Sequence, residues 1–578
     1  MKYAAILLLI PTLICAQEFE FELQPEAFPV EIDGWQPFCP WVGGFSESAP
    51  DFCDIDADGD LDLFVGYYLG GVGFTENVGS SSIAHFQDYI CQFDSLQCVT
   101  LGGRSNPDFG DLDSDGDLDA IVGGGYVNFI RNLGTTTQPN FTAPRDTLRD
   151  TSGNWVFGTN IALIDIDLDG DFDLIGGEYQ GHLQFYRNIG TPDSFSYFLE
   201  DNYWLGISVG NGDEADPTFC DLDADNDLDL FIGEENGRIW YYRNDGDSVN
   251  YDFTYVTNYY DSIDVGGYAS PEFADIDGDG DYDLFVGREQ VSSTIDPGDI
   301  FFYENVGTPQ VAQWRLVTRN YLCLDVGLYA CSTTSDVDAD LDHDLFIQHT
   351  GDYLSYYENI GSTSSASYLW VTDSYQDISV NDAYPKFCDI DGDGDADLFM
   401  GEAAIPGPPG LYLFHNQGTP QAAHFVLYSS NLIPGVFTQG SVSLAPSLAD
   451  IDADGDQDLF ICDTDSFYFF PNVGSPFQPQ FGPPTYNWQN LVPPAGQSIS
   501  CWYDIDEDGD LDFFWATQNA YYPLWFFRND GTMQNAQLVL ESENFLPAGG
   551  LPVFSGIDIF DIDQDGDGDF LLSTISGG

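Results

Sequence analysis

One nine-residue acidic pattern, Asp-x-Asp-x-Asp-Gly-Asp-x-Asp followed by an apolar run, occurs ten times in this chain, at intervals of 53 to 61 residues. Regularity of this kind makes each period one supersecondary unit and the chain an array of such units. The copies place Asp54, Asp56, Asp58, Asp60 and Asp62 in the first loop and Asp111, Asp113, Asp115, Asp117 and Asp119 in the second. Asp165, Asp167, Asp169, Asp171 and Asp173 form the third, and Asp221, Asp223, Asp225, Asp227 and Asp229 the fourth. The fifth has Asp275, Asp277, Asp279, Asp281 and Asp283, and the sixth Asp336, Asp338, Asp340, Asp342 and Asp344. Asp389, Asp391, Asp393, Asp395 and Asp397 follow in the seventh, then Asp450, Asp452, Asp454, Asp456 and Asp458 in the eighth. The ninth holds Asp504, Asp506, Asp508, Asp510 and Asp512, and the tenth Asp561, Asp563, Asp565, Asp567 and Asp569.

In water, two carboxylates ~4 Å apart repel by roughly 1 kcal/mol, and by more where solvent is excluded. Five in one turn therefore call for a cation at the centre. Oxygen donors at alternate positions around a glycine suit a hard ion such as Ca2+. Side chains at positions 1, 3, 5 and 9 are expected to converge, with the backbone carbonyl of position 7. In the fifth loop these are Asp275, Asp277, Asp279, Asp283 and the Asp281 carbonyl, with the Asp281 side chain toward solvent. Gly280 permits the positive φ of the turn. An EF-hand would need a Glu at position 12 and flanking helices; here that position is Val286 and strands are expected on both sides. Magnesium, which keeps its waters, is the poorer fit. The expected complement is up to ten calcium ions, one per loop. Asn226 and Leu341 replace the glycine in the fourth and sixth loops. Asn enters left-handed geometry readily, so the Leu341 site is expected to be the weakest.

The residues around each loop read as short strands. In one period, Phe253–Val256, Pro271–Ala274, Leu284–Val286 and the run Ile300–Thr308 are separated by turn signals, and the Asn-x-Gly tail of that run recurs as if closing each unit. Four strands per unit of about 56 residues, with no helical period, describe a propeller blade. The expected fold is all-β: a β-propeller array of about ten four-stranded blades, with ring size open and the last blade incomplete. Uniform spacing without a linker favours one continuous array over a common-sized ring followed by part of another. Phe19–Leu23 matches Phe253–Val256, and the sequence stops soon after Phe570-Leu571-Leu572. The expectation is a fragment or an early-ending product, in which an anchor, sorting signal or further module is missing.

The segment Pro271-x-Phe273-x-Asp275-Ile276-Asp277-x-Asp279-Gly280-Asp281-x-Asp283-Leu284 resembles the FG-GAP/VCBS repeat of integrin-α-like β-propellers. The resemblance extends over residues 17–578. It implies a propeller with calcium in loops between blade strands. It implies little about the ligand, since that family includes adhesion receptors, lectins and parts of polysaccharide lyases.

The formal net charge of −84 excludes nucleic-acid and anionic-membrane partners. Aromatic residues at 15% separate the chain from acidic disordered sequences. Residues 1–16 read as a secretory signal, with 17–578 as the mature repeat region, so the expected location is extracellular, secreted or at the cell surface. No later segment is apolar enough to insert as a membrane helix. Cys53, Cys220 and Cys388 precede loops at a small interior position and read as reduced core residues, whereas Cys91 with Cys98, and Cys323 with Cys331, are close enough for local disulfides. The six histidines sit in no catalytic motif, and no nucleophile elbow or phosphate loop occurs. The chain reads as non-enzymatic: a binding or adhesion scaffold for an extracellular protein or glycan, with structural calcium. A lectin is the alternative, in which Trp204, Trp240, Trp370 or Trp488 would stack on sugar rings, although inter-blade core suits those residues better. A polysaccharide-active enzyme, or its non-catalytic part, comes third.

Overall fold

The computed structural model describes residues 27–574 apart from 43–44, 46, 69, 91–92, 97–103, 211–213, 248, 289–299, 325, 327–329, 350–351, 403–408, 420, 438–442, 465, 494–497, 518–523 and 546–553. The leader, the strand expected at Phe19–Leu23 and the Cys91–Cys98 pair lie outside the described residues. Among the described residues regular structure is almost wholly β-strand, with no α-helix.

Each of the first nine repeats folds into a four-stranded antiparallel sheet. In the fifth blade, Ser270–Ala274, Asp283–Gly287, Ile300–Asn305 and Trp314–Thr318 run from the inner to the outer edge. Phe253–Thr257 is the outer strand of the fourth blade, paired with Ile239–Asn244. The unit boundary expected from sequence is therefore displaced by one strand. Asn-x-Gly does not close a blade; it joins the third strand to the fourth. The tenth repeat contributes two strands among the described residues, Phe554–Phe560 and Asp569–Thr574.

The second strand of each blade is apolar throughout because neighbouring blades cover both of its faces; Leu284, Phe285 and Val286 are fully buried. In four blades its central residue is an aromatic that packs on the inner strand of the next blade: Phe64 on Phe109 at 4.2 Å, Phe231 on Phe273 at 4.7 Å, Phe346 on Phe387 at 4.7 Å and Phe460 on Trp502 at 4.6 Å. From blade 5 the same contact goes back to blade 1, Phe285 on Phe52 at 4.4 Å. There Ser48 N donates to Arg288 O (3.1 Å) and Arg288 N to Ser48 Oγ (3.0 Å). Gly287 is needed at this seam, since a Cβ would lie 2.2 Å from Ser48 O. Blade 10 meets blade 6 in a corresponding way, with Ser332 N donating to Ser573 Oγ (2.8 Å) and Thr334 N to Asp558 Oδ2 (3.1 Å).

The inner strands thus form two cycles of five blades, 1 to 5 and 6 to 10, in place of the single array that uniform spacing favoured. The physical reason is plain. Phe285 closes the first ring on Phe52 just as Phe231 joins blade 4 to Phe273 of blade 5, so spacing carries no mark of where a ring ends.

A segment near the N-terminus braces the two rings. Val30–Glu31 adds in parallel to Tyr368–Leu369 at the outer edge of blade 6. Further on, Cys39 N donates to Leu322 O (2.8 Å), and Trp35 stacks on Tyr321 at 5.6 Å. Cys323 and Cys331 are not bridged to each other. Cys323 is buried with Cys39 in the core shared by blades 1 and 5, whereas Cys331 opens the inner strand of blade 6 and packs with Trp502 and Phe554. Cys53, Cys220 and Cys388 are thiols, as their small interior position suggested.

Candidate metal centres

The ten acidic loops connect the first and second strands of their blades. In the first, the Asp54 carboxylate accepts from Asp58 N (3.1 Å) and Gly59 N (3.2 Å), Asp56 Oδ1 from Asp58 N (3.2 Å), and Asp58 Oδ1 from Asp60 N (3.2 Å). These bonds wind the loop and bring oxygens of Asp54, Asp56 and Asp58 within 4.8 Å of one another; Asp111, Asp113 and Asp115 do the same in the second loop. Two left-handed residues make the winding possible, at positions 4 and 6: Ala57 (φ 58°) and Gly59 (φ 100°). Sequence reading found only the second of these. Asn226 and Leu341 hold position 6 at φ 71° and 80°. The leucine carries the strain that its Cβ implies there.

Position 9 is the buried anchor. Asp62 Oδ1 accepts from Asn77 N (2.8 Å), while Asn77 Oδ1 accepts from Gly79 N (3.1 Å) and His85 N (2.8 Å) and its Nδ2 donates to Leu61 O (3.1 Å). The Asn of each Asn-x-Gly therefore ties the loop to the hairpin behind it, a role that its sequence signature as a turn residue did not show. Burial pushes Asp62 up to about 7, against the backbone donors that favour its charged form.

Position 7 corrects an expectation. Asp281 does not point to solvent; it is 6% exposed, and Asp60, Asp117, Asp456 and Asp510 are similarly buried. Burial first, then the charge of Asp279, pushes Asp281 up to about 6. It is position 5 that faces out in most loops. The Oδ1 atoms of Asp60, Asp117, Asp342, Asp456 and Asp510, and the Oδ2 atoms of Asp119, Asp283 and Asp397, are buried without a hydrogen-bond partner. Acceptor oxygens turned inward with no donor are what a bound cation would satisfy. The donor set is all carboxylate and carbonyl oxygen, so the residues present fit calcium.

The residue before the Asn of each Asn-x-Gly differs among blades and had no signal in the loop pattern. Arg131 pairs with Asp113 and Arg187 with Asp167, both at position 3 of their loops. His415 Nδ1 lies 3.5 Å from Asp391 Oδ2 and 3.6 Å from Asp397 Oδ1. Blades 1, 5 and 6 place Glu76, Glu304 and Glu358 there. The charge beside each centre thus varies from outside the loop.

The proposed sugar-stacking tryptophans are placed in cores. Trp204 is buried against Phe185 and Phe253, Trp488 packs on Phe460, and Trp240 joins the core of blades 3 and 4. Trp370 is half-buried with its Nε1 on Asp373 Oδ1 (2.9 Å).

A family model described as an FG-GAP-like repeat matches residues 221–286, 389–461 and 504–572, each match starting on the first aspartate of a loop. The chain carries three FG-GAP-like repeats. No curated protein matches it. Among solved structures, an Agrocybe aegerita lectin recognising non-reducing terminal N-acetylglucosamine is similar at 15% identity, covering 72% of this chain and 100% of the lectin, with TM-score 0.26. BBS1N in complex with ARL6DN is similar at 13% identity, covering 62% and 91%, with TM-score 0.24. Likeness at this level carries no argument about ligand, and the description of the FG-GAP repeats rests on their own geometry.

Proposed function

We propose that this FG-GAP repeat protein is a secreted, calcium-stapled binding scaffold whose ions hold the blade loops while its outer strands meet an extracellular partner. The observation that carries the calcium reading is the set of buried, partnerless carboxylate oxygens turned into loops of one geometry. The partner reading is supported by the outer strands, where Tyr255, Leu316, Leu427 and Leu540 occupy the same strand position and are all exposed. Repeated apolar side chains on an accessible edge are an interaction surface in phase with the blades. Ten near-identical acidic loops argue for a structural role, since a catalytic centre is unique. The lectin alternative loses its tryptophans to the core and would have to rest on other residues.

The test is a protein and glycan array probed with the purified chain in millimolar calcium and again in chelator. Binding that requires calcium and is lost in a Tyr255/Leu316/Leu427/Leu540 serine variant supports the scaffold. Binding indifferent to both changes overturns it.

A further inference from the structure

The inner strands present alternate residues to the ring axis. This placement is visible from contacts that cross the ring: Arg104 of blade 2 reaches Asp216 of blade 4 at 3.1 Å, and Lys386 of blade 7 pairs with Asp558 of blade 10. Counting back from position 9 of each loop by strand register, one axial layer of the first ring holds Asp51, Asp108, Ala162, Thr218 and Glu272. The same layer of the second ring holds Thr333, Lys386, Ser447, Cys501 and Asp558.

In the second ring this layer is self-neutralising. The Lys386 ammonium sits on Asp558 Oδ1, while Asp558 Oδ2 accepts from Thr333 Oγ1 (3.2 Å) and Thr334 N (3.1 Å). In the first ring three carboxylates face one another, and among the described residues no cation lies between them. Asp108, the counterpart of Lys386, has one oxygen on Leu163 N (2.6 Å) and the other on Phe109 N (2.7 Å). Glu272, the counterpart of Asp558, accepts from Thr218 Oγ1 (3.2 Å). Arg104 is already committed to Asp216 and to Ser48 O (3.3 Å).

Two oxygens are left over. Asp51 Oδ2 is sealed from solvent and has no partner. Asn160, fully buried on the axis-facing side of its strand one layer from Ala162, donates through Nδ2 to Ala215 O (3.0 Å), which leaves its Oδ1 a partnerless acceptor. Burial pushes Asp108 up to about 7, and burial followed by the Asp108 charge pushes Glu272 up to about 8, as befits carboxylates short of positive charge.

We propose that the axis of the first ring binds a hard divalent cation between Asp51, Asp108 and Glu272, in the role that Lys386 fills in the second ring. The donors are carboxylate oxygens, with the Thr218 hydroxyl beside Glu272, which select a calcium-like ion over one that prefers nitrogen or sulfur. The site is separate from the ten loops, so its failure would leave the loop reading intact.

The test uses the full chain, crystallised in calcium and soaked with Mn2+ as an anomalous scatterer, with ions per chain counted in solution by equilibrium dialysis. An anomalous peak within bonding distance of Asp51, Asp108 and Glu272 is expected, with none on the second axis. Asp108→Lys, which installs the second ring's arrangement, should remove that peak and lower the count by one ion. A first axis without a peak, or a count unchanged in Asp108→Lys, overturns the proposal. Glu272→Gln guards against a variant that fails to fold: loss of one ion with a lower Tm in calcium supports the site. An unchanged or raised Tm would mean that the carboxylates share protons instead, and would overturn it.

Discussion

The two rings are built from one repeat and differ most where the repeat says least. Their acidic loops and strand registers correspond blade by blade, yet the axial layer is Asp51, Asp108 and Glu272 in one ring and Lys386 opposite Asp558 in the other. Loop geometry and blade packing restrict the acidic pattern and the apolar run, because a misplaced Asp or Phe there loses a loop hydrogen bond or a packing neighbour. The axis restricts only size and charge balance. Blades can exchange an acid for a lysine across it without disturbing a single sheet hydrogen bond.

Calcium removal should produce the largest effect and should strike both rings. An ion held at 100 times its Kd would contribute about 2.7 kcal/mol, and each ring has five such loops. Chelation is expected to lower Tm by tens of degrees, read by calorimetry; a shift of only a degree or two would dismiss the loops as ion sites. Next comes the second ring alone. Lys386→Ala leaves Asp558 buried and unpaired, at a cost of roughly 3–5 kcal/mol, so denaturant unfolding should split into two transitions. Lys386→Met with Asp558→Leu should restore one. A single unaltered transition in Lys386→Ala would remove the charge pair as the distinguishing feature of that ring.

A third measurement separates ion from proton. The folded-state values of Asp62, Asp119 and Asp283 are raised to about 7, and those of Asp60 and Asp281 to about 6. A carboxyl whose folded value is raised disfavours the folded state above that value, and the penalty disappears as pH falls toward the unfolded value near 3.9. Without calcium, Tm should therefore rise as pH is lowered from 8 to 5. With calcium the trend should reverse, because protons compete with the ion. The same slope in both media would contradict the assignment. The smallest effect is Leu341→Gly. Leu341 is 73% exposed at φ 80°, so the change relieves strain of about 1 kcal/mol without losing packing. A several-fold tighter sixth site is expected by isothermal titration, and no gain would mean that the leucine is not what limits it.

The loops were legible because their chemistry is local: five alternating aspartates and a glycine leave few other structures open to residues 275–283. The blades were legible for a similar reason, since Leu284-Phe285-Val286 is too short for a helix and too apolar for a surface strand. Ring size was not, because Phe285 packs on Phe52 as Phe231 packs on Phe273, and nothing in a local pattern distinguishes the next blade from the first. The inward turn of Asp281 was missed because period-2 reasoning treats position 7 as one more exposed residue, whereas the second left-handed residue at Gly278 reverses the chain earlier. The axial acids were invisible for the opposite reason. Asp51 and Glu272 lie more than two hundred residues apart, and only ring closure makes them neighbours.

That closure has a consequence for how the protein is made. The four strands of blade 1 come from one continuous stretch, residues 49–90, with no strand lent by a distant part of the chain. Every sheet in the first ring can form as it leaves the ribosome, whereas the Ser48–Arg288 seam, 240 residues apart, must wait for blade 5. The seam is joined by side-chain packing and a few hydrogen bonds, without a shared sheet. Under tension or thermal agitation the ring should therefore part there first, like a clasp, and refasten without any blade having to refold.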